Sequence, residues 1–203
     1  MAYHASVPPQ SSVTDLSVLA SIFKGVLSPQ DLEPSGITLP FRILDIIVAH
    51  GENIPSVIAT YYRTIDVWLP IISRDRLTEQ LDNIRTNPSS DSPLLLLCMY
   101  MIATLPGDMV DMGQMRTSLY LQAKSLHSLH ISVAKLSIEL IQAGVLLCLY
   151  EQGHGMVDIA QMTIAATSRM GIKMTNAEKE AGTEDIQETE LGRVWWSVVI
   201  MDR

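Results

Sequence analysis

The sequence predicts an all-α, multi-helix fold. From about residue 40 onward, apolar residues recur at intervals of three and four, which is the spacing of one helix face. No run of strand length alternates apolar and polar residues, so a β-sheet is not expected. Pro and Gly separate the periodic segments, as they do between helices. At 203 residues and 47% apolar content, the chain is long enough to bury one hydrophobic core.

The first 38 residues differ in composition from the rest of the chain. They carry Pro8, Pro9, Pro29 and Pro34 among Ser, Gln and Thr, a composition that favours disorder. One short helix over residues 13–26 is the exception. We therefore predict a mostly disordered N-terminal segment over residues 1–38 and a helical domain over residues 39–203.

The first half of the helical domain is predicted to contain helices over residues 41–50, 57–68, 74–84 and 94–105. Gly51 and Pro55 bracket the turn before the second helix, and Pro70 stops it. Ser92 and Pro93 form a good start for the fourth helix. Serine can cap free backbone amides, and proline at the first helical position loses no hydrogen bond.

The second half is predicted to contain helices over residues 109–129, 136–152, 156–170 and 193–203. The second of these is apolar nearly all round, so it should lie at the centre of the core. Gly153 to Gly155 should end it. Gly171 is placed to end the next helix in the left-handed conformation, and the acidic residues 173–190 are predicted to form a loop.

The last predicted helix contains Trp195 and Trp196 and is apolar on most of its sides. Such a helix belongs inside a larger body. No Gly, Asn or Pro follows to end it. We therefore expect both tryptophans to be incompletely covered, and the helical domain to be incomplete at its C-terminus.

Charge and cysteine content exclude several functions. The chain has 14 Lys and Arg against 22 Asp and Glu, which argues against direct nucleic-acid contact, because phosphates require clustered basic residues. Cys98 and Cys148 lie in separate apolar runs, as expected for buried thiols rather than a disulfide or zinc framework. The apolar runs are too short to cross a membrane, which takes about 20 residues.

Three stretches, in this order, resemble the middle homology region of fungal zinc-cluster transcription factors. Residues 67–74 (VWLPIISR) resemble the end of an early helix of that region. Residues 137–155 with 160–171 resemble its central helix and the helix after it, and residues 193–203 (RVWWSVVIMDR) resemble its most recognisable motif. The resemblance gives a structural role to Trp68, Pro70, Glu151, Gly153, His154, Gly155, Gly171, Arg193, Trp195, Trp196, Asp202 and Arg203.

The resemblance implies a nuclear transcriptional regulator without enzymatic activity. It implies that DNA is bound by a two-zinc, six-cysteine module, which this chain does not contain, so no cofactor is expected here. The expected partners are other parts of the same regulator, the transcription machinery or a small-molecule effector. Two departures stand out: a single basic residue, Arg193, precedes the tryptophan pair, and the family's regulatory region continues beyond Asp202 and Arg203.

Two other functions stay open: a helical-bundle metal protein or enzyme, and a plain interaction scaffold. Glu151 and His154 match the Glu-x-x-His spacing of di-iron bundles, but such a site needs a second copy of the motif, and none exists. Gly153 and Gly155 flank His154, which favours a histidine that caps the helix end. His127 and His130 share one helix face, where a part-buried structural role is favoured over metal binding.

Overall fold

The computed structural model describes residues 53–83, 91–103, 118–132, 136–180 and 189–202. Over these residues it contains helices and no strand, which confirms the predicted all-α fold. The helices are α1 Ile54–Thr64, α2 Arg74–Asn83, α3 Ser92–Ala103, α4 Ser118–Ser132, α5 Ile138–Gly153, α6 Val157–Glu180 and α7 Glu190–Met201. The predicted domain boundary at residue 38 and the helices predicted over residues 13–26 and 41–50 lie outside the described residues.

Helix α5 is the centre of the core, as predicted from its apolar sequence. It packs against α3, α4, α6 and α7, and its side chains from Ile138 to Cys148 are all buried. Helix α3 is buried from Ser92 to Met101 and packs in turn against α1 and α4. None of the described helices combines the length and apolar character that a membrane crossing would take.

The predicted boundaries of the second helix were wrong at both ends. Helix α1 already begins at Ile54, because Asn53 caps it: the Ser56 amide donates to Asn53 Oδ1 at 2.8 Å. Pro55 lies in the first turn, where its missing N–H removes no helical bond. The helix ends at Thr64, and turns follow until Leu69 and Ile71 enter the core.

Gly171 does not end a helix, contrary to the prediction. Helix α6 continues through it to Glu180, so the first part of the predicted acidic loop is helical. A Cβ atom at Gly171 would lie 3.0 Å from Trp195 Cε3, so this glycine provides space for the α7 tryptophan. Among the described residues, the glycine with a left-handed backbone is Gly155, with a φ of 70°, close after the end of α5.

Helix α2 begins at Arg74 as predicted, whereas the starts of α3, α5, α6 and α7 differ from prediction by one to three residues. Helix α3 begins at Ser92 itself, and the Ser92 hydroxyl donates to Gln80 Oε1 at 3.1 Å instead of capping. Helix α5 begins at Ile138 with Ser137 as its cap. Helix α7 begins at Glu190, three residues before the predicted start, with Thr189 as its cap. Of the helix predicted over residues 109–129, the first nine residues lie outside the described part.

Candidate functional site

A cluster of polar side chains joins the segment before α2 to α2, α5 and α7. We call it the polar junction, and its side chains are Arg76, Glu139, Gln142, Glu190 and Arg193. Two of them, Glu139 and Gln142, are buried although they belong to the apolar central helix. Buried polar groups are costly unless they are hydrogen-bonded, so the partners of these two residues define how the helices fit.

Glu190 is the acceptor at the centre of the polar junction. Its Oε1 accepts the backbone N–H of Ser73 at 2.7 Å and the side-chain amide of Gln142 at 2.8 Å. Its Oε2 lies 3.6 Å from Arg76 Nη1. As the first residue of α7, after the Thr189 cap, Glu190 also faces the positive end of its own helix dipole.

Gln142 and Glu139 connect the central helix to the same segment. Gln142 Nε2 donates to the Ile71 carbonyl at 2.6 Å as well as to Glu190. Glu139 Oε1 accepts from Arg76 Nη2 at 2.6 Å and from the Gln80 amide. Arg76 therefore bridges two carboxylates that come from different helices, and its positive charge offsets their mutual repulsion.

Arg193 completes the polar junction from the exposed side of α7. Its Nε donates to the Pro70 carbonyl at 3.0 Å, across 123 residues of sequence. Pro70 and Arg193 belong to the first and last of the stretches that carry the sequence resemblance, and Gln142 belongs to the central one. The polar junction therefore brings together all three stretches.

A second polar cluster lies deeper, around Glu151 at the end of α5. Glu151 is fully buried and accepts from the Tyr120 hydroxyl at 2.8 Å and from Lys124 Nζ at 2.7 Å. The Thr163 hydroxyl of α6 donates to its other oxygen. This carboxylate is therefore occupied by an ion pair and two hydroxyl groups that tie α4, α5 and α6 together.

His154 does not join Glu151 in a site. It is the C-cap residue of α5, and its Nδ1 lies 2.8 Å from the Tyr150 carbonyl. Its ring stacks on Tyr150 with centroids 3.9 Å apart. These contacts confirm the capping interpretation, and the described residues contain no cluster of His, Cys, Asp or Glu that could hold a metal ion.

His127 and His130 also take separate structural roles. His127 is buried with Nε2 3.2 Å from the Leu140 carbonyl. Burial, with a smaller contribution from the Lys124 charge, lowers the pKa of His127 to about 4, so the ring is neutral at physiological pH. His130 Nδ1 lies 2.8 Å from Asp91 Oδ1, and the Ser137 hydroxyl donates to the other oxygen of Asp91.

The remaining motif residues do not converge. Trp195 is partly buried against Gly171, whereas Trp196 exposes 54% of its surface and Trp68 57%. Incomplete cover is thus confirmed for Trp196. Asp202 is the exposed C-cap of α7, and Arg203 lies outside the described residues.

Sequence reasoning missed most of the polar junction. The signal that could have found part of it is the presence of Glu139 and Gln142 in an otherwise apolar helix, because buried polar groups need partners. Those partners, Arg76 and Glu190, lie 63 and 48 residues away in sequence. Nothing local in the sequence pairs them, and the sequence pattern predicts that Glu190 ends a loop.

Comparisons with known proteins agree with the resemblance seen in the sequence. Residues 58–203 match the family described as the fungal specific transcription factor domain. The chain is also similar to a protein named transcription factor BOA15 from Botryotinia fuckeliana (strain B05.10), with 29% identity over 149 residues, covering 73% of this chain and 79% of the relative. No solved structure matches the chain.

Proposed function

The chain belongs to the family of fungal specific transcription factor domains, and from this premise we propose that it regulates transcription by responding to a partner or an effector. It is a regulatory domain of a fungal transcription factor. The proposal concerns how the domain acts: the polar junction, which connects α2 and α7 to the central helix, has two states of different activity. A ligand or partner that binds one state better shifts the population toward it.

The observation that carries this proposal is the polar junction. Family-like stretches from the beginning, middle and end of the domain meet there, because the side chains of Gln142 and Arg193 donate to the backbone carbonyls of Ile71 and Pro70. Such a connection can switch as a unit, because the loss of Glu190 would remove the acceptor of the Ser73 N–H, one of the two acceptors of the Gln142 amide, and one of the two carboxylates that Arg76 bridges.

The same premise supports the proposals on DNA, zinc and localisation. A net charge of −8 does not favour contact with phosphates. We therefore assign DNA reading to a zinc-cluster module of the same regulator, and place the regulator in the nucleus. Partners of this domain would be other parts of that regulator or components of the transcription machinery.

We propose no enzymatic role for the domain. Glu139, Glu151 and Glu190 are each engaged by a cation or by several donors. The alternative of a metal enzyme based on Glu151 and His154 has no geometric support, because the two side chains bind different partners.

A tethered reporter assay tests the proposed function. The whole chain is inserted between an unrelated DNA-binding domain and a constant activation domain, and reporter output is compared with the same fusion without it. We expect the chain to change the output, and Glu190→Ala to shift that effect at matched protein level. Glu180→Ala, at an exposed glutamate of α6, is the matched control and should behave as wild type. A chain that leaves the output unchanged in all forms would contradict the proposal.

A further inference from the structure

An open groove of about 680 Å³ lies between α1 and α2. Its apolar lining includes Ile54, Ile58, Leu77 and Leu81. Leu77 is buried at its base, while Ile58 and Leu81 are partly exposed. The volume falls within the range of about 300–1,000 Å³ that is typical of sites for small organic molecules.

Two arginines mark one end of this groove. Arg63 lies in the last turn of α1, and Arg74 is the first residue of α2, so both lie where the connecting segment joins the two helices. The Arg74 guanidinium stacks over the Tyr62 ring, 4.3 Å from its centroid, which fixes its direction. Among the described residues, no acidic side chain lines the groove and neither arginine forms a salt bridge.

We propose that this groove binds a small anionic amphiphile, a molecule with an apolar body and one carboxylate. The apolar body would cover Ile58, Leu77 and Leu81, and the carboxylate would pair with Arg63 and Arg74. Arginine suits this task because its planar donors match a carboxylate in pairs. The proposal rests on the proposed regulatory function, because it names the chemical class of the effector.

The groove is linked to the polar junction through the start of α2. Arg74 directly follows Ser73, whose backbone N–H is held by Glu190 of α7. Two residues further along α2, Arg76 bridges Glu139 and Glu190. A ligand that fixes the spacing of α1 and α2 therefore acts on the same contacts that join α2 to α5 and α7.

Isothermal titration calorimetry of the whole purified chain tests the groove, with decanoate as the anionic probe and decanol as its neutral match. We expect decanoate to bind at least about tenfold more tightly than decanol, as a charge-assisted pair contributes about 1.5 kcal/mol or more. The double variant Arg63→Gln/Arg74→Gln should weaken decanoate binding about tenfold and leave decanol unchanged.

Two further variants control for folding and position. Ala59→Trp fills the groove from its exposed side and should abolish binding of both probes. Arg169→Gln removes an exposed arginine of α6 and should change neither. Urea unfolding of each variant verifies that it is folded. Equal affinity for decanol and decanoate, or decanoate binding that survives both groove variants, would overturn the assignment.

The result separates the groove from the regulatory function. The tethered reporter is measured without added ligand, so a chain that regulates but binds no decanoate would overturn the groove assignment alone. A chain that binds decanoate as described but never alters the reporter would overturn the proposed function.

Discussion

At the residue scale, a small number of buried polar side chains determine how the helices fit together. Glu139, Gln142, Glu151 and His127 are all buried. Each is matched by a partner on another helix. If one partner is removed, the other stays buried with neither water nor a protein group to hydrogen-bond. The resulting loss of stability is larger than the net contribution of the hydrogen bond itself.

Glu151→Gln is expected to lower the free energy of unfolding by about 2–4 kcal/mol, because it leaves the Lys124 ammonium without its counter-charge in a largely buried position. Urea unfolding followed by circular dichroism measures this loss. Glu180→Gln, at an exposed position of α6, should change stability by no more than about 0.5 kcal/mol. Equal stability of the two variants would show that the Glu151 cluster contributes nothing.

His127 should make the domain less stable in mild acid. Its pKa is about 4 in the folded state against an ordinary value of 6.5 for histidine, so the unfolded state binds more protons between these values and stability falls as pH falls. Between pH 7 and pH 5 the expected loss from this residue is about 2 kcal/mol.

The measurement is urea unfolding at both pH values for the wild type and for His127→Asn. The variant lacks the titrating group, so it should lose about 2 kcal/mol less than the wild type over this interval. His154→Asn, at the more exposed cap of α5, is the control and should follow the wild type. Identical pH dependence in wild type and His127→Asn would contradict the account.

Residue-scale prediction from the sequence succeeded where the signal was local. The capping role of His154 follows from the glycines beside it and from the end of the apolar run. The partners of Glu139 could not be predicted, because the sequence shows that a buried carboxylate needs a cation but not which cation the fold brings near. From the sequence alone, Arg76 and Lys124 were equally good candidates for the cation that pairs with Glu139, and only the positions of α2 and α4 in the fold distinguish them.

At the element scale, the sequence predicted which segments are helical better than where they end. Helix α1 starts earlier than predicted because the side chain of Asn53 caps it. In the sequence, Asn53 lies between Gly51 and Pro55, which together look like a turn. Helix α6 continues past Gly171, because this glycine makes room for the Trp195 ring and does not end the helix. In the sequence, a glycine that ends a helix looks the same as one that makes room for a neighbouring side chain. Tertiary contact decided between these meanings, and it is not visible in a local pattern.

The close approach of α4, α5 and α6 depends on Gly144. A Cβ atom there would lie 2.3 Å from Thr167 Oγ1 and 2.9 Å from His127 Nε2. We expect Gly144→Ala to destabilise the domain by about 1–3 kcal/mol, since overpacking outweighs the gain in helix propensity of about 1 kcal/mol.

Gly153→Ala is the matched control, because it lies in the same helix and its Cβ atom would meet nothing within 4 Å. It should be neutral or slightly stabilising when thermal unfolding of the two variants is compared. A Gly144→Ala protein as stable as Gly153→Ala would show that α5 and α6 can move apart at no cost.

At the scale of the whole molecule, composition and helical period were enough to predict an all-α domain with α5 at its centre. The resemblance in three stretches led to the family to which the chain belongs. The polar junction could not be predicted, because it connects residues as far as 123 positions apart. Contacts of that separation depend on the complete packing of the helices.

The charge of the whole chain predicts that it does not bind DNA specifically by itself. With 14 Lys and Arg against 22 Asp and Glu, too few cations are available to release counterions from a duplex. In a mobility-shift assay at physiological salt, we expect no protein–DNA complex that unlabelled specific DNA competes away better than unlabelled random DNA. A displaced, sequence-dependent complex would contradict the assignment of DNA reading to another module.

The central claim is that the polar junction couples α2 and α7 to the central helix as one unit. Hydrogen–deuterium exchange of the purified chain, comparing wild type with Glu190→Ala, tests it most directly. In the variant, we predict faster exchange of the backbone amides in both α2 and α7, although Ser73 and Glu190 lie 117 residues apart in sequence. The amide exchange of α3 should not change. Faster exchange confined to the first turn of α7, with α2 as protected as in the wild type, would contradict the claim.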